Sequence, residues 1–123
     1  MVKNKQLERD LVEKPCLKIV CPKYKEDGVI LQYRKLDAQD KDHQDGSPDI
    51  EIFMEKDGYL FVLMVECKKP DGGKQRKTQV EYQNRYSHLK NVVYVIVRSK
   101  EELAKEIDKI NPYYYNQIQG LNL

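Results

Sequence analysis

The feature that most restricts what this chain can become is Lys56-Asp57-Gly58-Tyr59, placed between the apolar-rich stretches IEIFME and LFVLMV. Asp-Gly in that setting signals a tight β-hairpin, because a two-residue type I′ turn needs φ > 0 at both central positions. With Asp57 and Gly58 at those positions, partners across the hairpin carry numbers that sum to 115. Lys56 then faces Tyr59, and Asp49 faces Glu66. Directly opposed residues have Cβ atoms roughly 5 Å apart. Side chains alternate faces with period two, so Asp49, Glu66 and Lys68 share one face. The other face collects Ile50, Ile52, Met54, Phe61, Leu63 and Val65, a core layer. Spacing alone therefore brings two carboxylates and an ammonium to the open end of a hairpin.

Like charges held that close repel, and each carboxyl titrates high unless a cation lies between them. A hard divalent ion such as Mg²⁺ relieves the repulsion, since it takes oxygen ligands and often only one or two protein carboxylates. A lysine two residues from one ligand can then orient a water and offset charge on a phosphoryl group. The alternative is an ordinary surface cluster of ion-paired Asp, Glu and Lys. Register, shared face and residue order together favour the site.

Pro48-Asp49, a hairpin, then Glu66-Cys67-Lys68 resembles the PD-(D/E)XK nuclease superfamily. The longer run resembles one branch of it, the virus-type replication-repair nucleases (the VRR-NUC domain). That run comprises Gly46-Ser47-Pro48-Asp49, Val65-Glu66-Cys67-Lys68, a Gly/Lys-rich loop, Gln79 opening a helix, and the strand VVYVIV, all within residues 46 to 107. The resemblance implies an α/β fold, a restriction-endonuclease-like three-layer sandwich with a central mixed β-sheet flanked by helices. It implies Asp49 and Glu66 as ligands of Mg²⁺ or Mn²⁺, with the Cys67 backbone carbonyl. Lys68 then assists the attacking water, Gln79 lies beside the site, and Glu8 is the candidate for a further glutamate on the first helix. Ser47 departs from the small apolar residue common there, and residues 15 to 45 follow no family pattern.

At 123 residues the chain is expected to form one domain. Cys16, Cys21 and Cys67 form no CxxC or His-paired zinc pattern, which reads as reduced thiols in the cytosol. No apolar run approaches transmembrane length, and no signal-peptide h-region opens the chain, so no membrane partner is expected. No P-loop or Gly-rich dinucleotide motif occurs, so no nucleotide cofactor is expected either. Net charge is only +2, but its distribution is uneven. Lys68, Lys69, Lys74, Arg76 and Lys77 fall within ten residues, with Arg85 beyond them, while acids gather between Asp37 and Asp45. A basic segment beside a carboxylate site suits a polyanion, although a solvated charged loop would look the same.

Along the chain, residues 4 to 14 read as a helix capped by Asn4 and stopped by Pro15. On its wheel Leu7, Leu11, Val12 and Glu8 share an arc, while Glu13 points roughly the other way. Glu8 in that arc either shares a metal or its water, or reaches solvent at the stripe's edge. Residues 16 to 21 and 29 to 34 read as strands with a turn at 25 to 28; they pair together or extend the sheet edge. Residues 37 to 47 form a polar loop whose His43 carries no assigned chemistry. A helix over 75 to 89 turns Gln75, Gln79, Tyr82, Tyr86 and Leu89 toward the core, the tyrosines as packing rather than base-stacking platforms. The amide of Gln79 needs a partner there, for which a site water or a metal-bound carboxylate is available. Strand 60 to 68, helix 75 to 89 and strand 92 to 97 make a βαβ unit. Ser99 and Glu102 sign a capping box for a helix to about Ile110. The uncharged tail from Tyr113 docks on its own domain or on a second subunit.

The expected activity is metal-dependent hydrolysis of phosphodiester bonds in DNA. Asp49 and Glu66 hold the ion, Lys68 and Gln79 handle the water, and Lys69, Lys74, Arg76, Lys77 and Arg85 grip phosphates without reading sequence. Small stand-alone relatives by resemblance are dimers that cut branched DNA, which implies four-way junctions and a homodimer with two active sites. The rivals are flap or fork cleavage by a monomer, a DNA-binding module without turnover, and a metal-binding protein without DNA contact.

Overall fold

The computed structural model describes residues 8–36 and 47–112. Asn4, Leu7, the Asp-rich loop with His43, and the Tyr-rich tail lie outside the described residues. Three consecutive helical segments, Arg9–Glu13, Cys16–Val20 and Cys21–Glu26, make up a first helical arm, α1. The strands β1 (Ile30–Lys35), β2 (Ile50–Lys56) and β3 (Tyr59–Cys67) follow. Then come α2 (Lys77–Tyr86), β4 (Val92–Val97) and α3 (Lys100–Ile110). No helix among the described residues is long and apolar enough to cross a membrane.

The hairpin forms as its turn dictates. Asp57 and Gly58 have φ of 54° and 81°, and β2 pairs with β3 from Ile50↔Val65 to Lys56↔Tyr59 with every pair summing to 115. The sheet runs β1-β2-β3-β4, with β1 and β3 antiparallel to β2 and β4 parallel to β3. The βαβ unit is thus present, with α2 as the connection between adjacent parallel strands.

Side-chain alternation divides the layers. Ile50, Ile52, Met54, Leu63, Val65, Val95 and Val97 face α1 and α3, meeting Val12, Cys16, Val20, Cys21, Tyr24, Leu103 and Ile107 in one core. The opposite face of β3 and β4 presents Glu66 and Tyr94 to α2. α3 starts where its cap predicts: Ser99 Oγ accepts the Glu102 N–H at 3.1 Å. Its far end is tied to α1 by the Tyr24 hydroxyl, which donates to Asp108 at 2.8 Å. α2 is shorter than the predicted helix, so Leu89 lies beyond it and is exposed.

The N-terminal reading needs correction. Pro15 does not stop the first helix, residues 16 to 21 are helical rather than a strand, and the helix runs on through Lys25 and Glu26, where a turn was expected. Arg9–Glu13 and Cys16–Val20 are wide π-type turns flanking the proline. A proline inside a helix lacks an N–H and clashes with the carbonyl four residues back. Wider turns with i→i+5 bonding, such as Lys14 N–H to the Arg9 carbonyl, lie where that clash would otherwise fall. Burial of Val12, Cys16, Val20 and Tyr24 recurs every four residues, a helical period that the β-branched composition masked. Leu11, expected inside, is 53% exposed. The strand expected over 29 to 34 forms as Ile30–Lys35, and it extends the sheet edge by pairing with β2.

Candidate active site

Asp49 stands where the regular ladder ends. Its carbonyl accepts the Leu36 N–H at 2.8 Å, and its N–H goes to the Val65 carbonyl at 2.9 Å. The second bond slips by one residue from the hairpin register, so Asp49 does not simply face Glu66 as the sum of 115 predicts. Its side chain instead accepts the Cys67 N–H on Oδ2 at 2.7 Å. A carboxylate thus makes the last rung between the β2 end and β3. Burial is the main force raising its carboxyl from 3.8 to about 6. The Cys67 N–H works against that rise, and the charges of Glu13, Glu66 and Glu8 add to it.

Glu66 is 0% exposed. Its Oε1 accepts the Tyr94 hydroxyl at 2.7 Å and the Gln75 amide at 3.3 Å. Its Oε2 is buried with no hydrogen-bond partner. The nearest counter-charge is the Lys68 ammonium, 3.9 Å from that oxygen and itself buried. Lys68 donates to Gln79 Oε1 at 2.9 Å, and the same oxygen accepts the Arg76 N–H at 2.8 Å. Gln79 therefore does two jobs: it satisfies the start of α2 and holds the lysine in place. Its partner is Lys68 and not a carboxylate.

A cleft of about 550 Å³ opens over these groups. Its lining includes Asp49, Cys67, Lys68 and Gln79, with Glu8 contributed by the start of α1. Glu8 thus comes to the predicted place. Glu13 does not line the cleft, but contrary to the wheel it lies near enough for its charge to act on Asp49. At 100° per residue the two would diverge, but wide turns place residues five apart on one side. Glu13 is buried, its carboxyl raised chiefly by desolvation, with Lys35 at 3.8 Å as counter-charge.

The basic loop closes the other side. Lys69, Lys74 and Arg76 line the cleft with Gly72 and Gly73. Arg98, at the end of β4, donates to the Lys69 carbonyl at 3.1 Å and the Gly73 carbonyl at 2.7 Å. A Cβ at Gly73 would lie 3.3 Å from the side chains of Lys68 and Lys69, so this glycine lets the loop approach closely. Lys77 and Arg85 are exposed but do not line the cleft, and Arg85 lies 5.9 Å over the Tyr82 ring.

The donor set suits a hard cation. No group of three or more His, Cys, Asp or Glu arranged for an ion occurs among the described residues. Mg²⁺ and Mn²⁺ are held by one or two carboxylates with water or carbonyls for the rest, the kind of oxygen donors that Asp49 and Glu66 carry. Thiol ligation is disfavoured: contact with Cys16 and burial hold Cys67 protonated, and burial pushes Cys21 up to about 12.

Tyr94, Gln75, Glu13 and Arg98 belong to this arrangement and were not assigned to it from the sequence. A readable signal existed for Tyr94, the one hydroxyl in VVYVIV, since a buried tyrosine O–H needs an acceptor. No family model matches the chain, and no curated protein or solved structure matches it either.

Proposed function

We propose that this protein is a metal-dependent endonuclease that hydrolyses phosphodiester bonds in DNA, with a restriction-endonuclease-like core of the VRR-NUC kind. The observation that carries the reading is Glu66, a fully buried carboxylate with one unpartnered oxygen, set behind Lys68, which together with Asp49 lines a basic cleft. A buried oxygen left without a hydrogen-bond donor is uncommon in a folded chain and calls for an explanation, for which a bound cation serves. Strongly perturbed buried carboxyls in a cleft concentrate at sites of chemistry.

Asp49 and Glu66 would hold Mg²⁺ or Mn²⁺, with the Cys67 carbonyl and Glu8 as further oxygens. When bound, the ion supplies Lewis-acid polarisation of a phosphoryl oxygen and acidifies water. The chain's own part is positional. Gln79 aims the Lys68 ammonium at the cleft, where it orients water and offsets charge developing on the phosphorane. Arg98 shapes the loop so that Lys69, Lys74 and Arg76 line the path of a phosphate backbone. Contacts of this kind grip phosphates without reading bases, which favours recognition of DNA shape, above all four-way junctions, cut by a homodimer.

The test incubates purified protein with labelled four-way junction, 5′ flap and linear duplex, in Mg²⁺, Mn²⁺ or EDTA, beside Asp49→Asn. Metal-dependent paired cuts in the junction, lost in the variant, are expected. Flap cleavage alone would keep the chemistry and remove the dimer. Binding without cleavage of any substrate would replace the enzyme by a DNA-binding module.

A further inference from the structure

Glu66 has two donors, and both lie on the same oxygen. The Tyr94 hydroxyl donates to Oε1 at 2.7 Å and the Gln75 amide at 3.3 Å, while Oε2 receives none. A carboxylate rotates freely about its last torsion, and a lone glutamate would share two donors between two oxygens. Here the donors are themselves fixed. Tyr94 is 8% exposed, anchored in β4 and packed 6.4 Å from the Tyr82 ring. Gln75 is held through the same amide nitrogen to Gln83 on α2 at 2.9 Å. The consequence is directional: one oxygen of Glu66 is committed to the protein and the other is turned toward Lys68.

We infer that Tyr94, seconded by Gln75, is a positioning residue that fixes Glu66 so that Oε2 alone is presented to the divalent cation. This inference rests on the nuclease reading above and adds a residue that touches neither substrate nor metal. Tyrosine serves the role better than serine or threonine because its rigid ring carries the hydroxyl across the width of a strand with few torsions to lose. Groups that hydrogen-bond metal ligands typically govern about 10–100-fold in metal affinity.

The experiment titrates Mn²⁺ alone into the full chain by calorimetry, comparing wild type with Tyr94→Phe, Gln75→Ala and Tyr82→Phe. Tyr94→Phe is expected to weaken Mn²⁺ binding about 10–100-fold, and Gln75→Ala to weaken it less. Tyr82→Phe, which keeps the ring contact and loses no bond to Glu66, is expected to bind Mn²⁺ as wild type does. In cleavage assays Tyr94→Phe should raise the Mn²⁺ concentration for half-maximal rate, with the rate at saturating Mn²⁺ largely restored. A packing role alone would lower Tm and leave the Mn²⁺ titration unmoved, which would overturn the inference. Should Tyr94→Phe fail to fold, wild-type affinity in Gln75→Ala would overturn it equally. A wild type that binds no Mn²⁺ would overturn this inference together with the nuclease reading. Wild-type binding matched by Tyr94→Phe would overturn this inference alone.

Discussion

The two ends of the β2–β3 hairpin differ in what they do for the protein. The closed end, Asp57-Gly58, is exposed, carries positive φ at both positions and has one task, reversing the chain. The open end holds Asp49, whose burial disfavours its charge, and Glu66, which keeps a buried oxygen without a hydrogen-bond partner. One end contributes to stability and is indifferent to chemistry; the other is costly to the fold and is where chemistry is proposed. The contrast teaches that local backbone rules explain a turn completely, whereas an active site shows itself where such rules are broken.

That contrast can be tested by substitutions graded by size of effect. The largest is expected at the open end: Lys68→Ala should lower the cleavage rate by at least about 10²–10³-fold while DNA binding in EDTA survives. Loss of binding with no loss of rate would put Lys68 in the wrong role.

Next comes the stability cost of Asp49, measured by denaturant unfolding in EDTA across pH. Its carboxyl is raised from 3.8 to about 6, so the folded chain holds that proton more tightly than the unfolded one. The stability gained from it is complete below the ordinary value and is lost as pH rises through about 6. In Asp49→Asn the new side-chain amide oxygen can still accept the Cys67 N–H, now without charge. The variant should therefore be more stable than wild type above pH 6, by up to about 3 kcal/mol, with a flatter pH profile. An Asp49→Asn protein less stable than wild type well above pH 6 would refute the cost assigned to this end.

At the closed end, Gly58→Ala forces an L residue to φ of 81° and should cost about 1–2 kcal/mol in unfolding experiments. Cleavage per folded molecule should stay at the wild-type level. The smallest effect is expected for Arg98→Ala, which frees the carbonyls of Lys69 and Gly73. Losing those part-exposed bonds is worth roughly 1 kcal/mol, read as a several-fold rise in KM for DNA at unchanged kcat.

How much was legible follows the same division. The hairpin, its register and its core layer depend on contacts between near neighbours in sequence, so Asp57-Gly58 and a period of two were enough. Asp49, Glu66, Lys68 and Gln79 came together because the register and one βαβ connection place them. The helical arm was misread because Pro15 and the run CLKIVC argue locally for a break and a strand. Packing of Val12, Cys16, Val20 and Cys21 against the sheet outweighs that preference, as tertiary burial commonly does. The same misreading set Glu13 on the wrong side. Tyr94 signalled that it needed an acceptor but not which one, and Arg98 gave no signal, because their partners, Glu66 and the carbonyls of Lys69 and Gly73, are more than twenty residues away. No spacing rule spans that distance.

The rung made by Asp49 has a consequence for spectroscopy. The Lys68 amide is tied to a backbone carbonyl of Val97, whereas the amide one residue earlier, that of Cys67, is tied to a titratable oxygen. Whatever draws electron density from that oxygen, whether a proton or a cation, alters a single N–H vector inside the sheet. In uniformly ¹⁵N-labelled protein the Cys67 amide resonance is thus a built-in indicator of the state of the carboxylate, sensitive to occupancy and requiring no probe attached at the site.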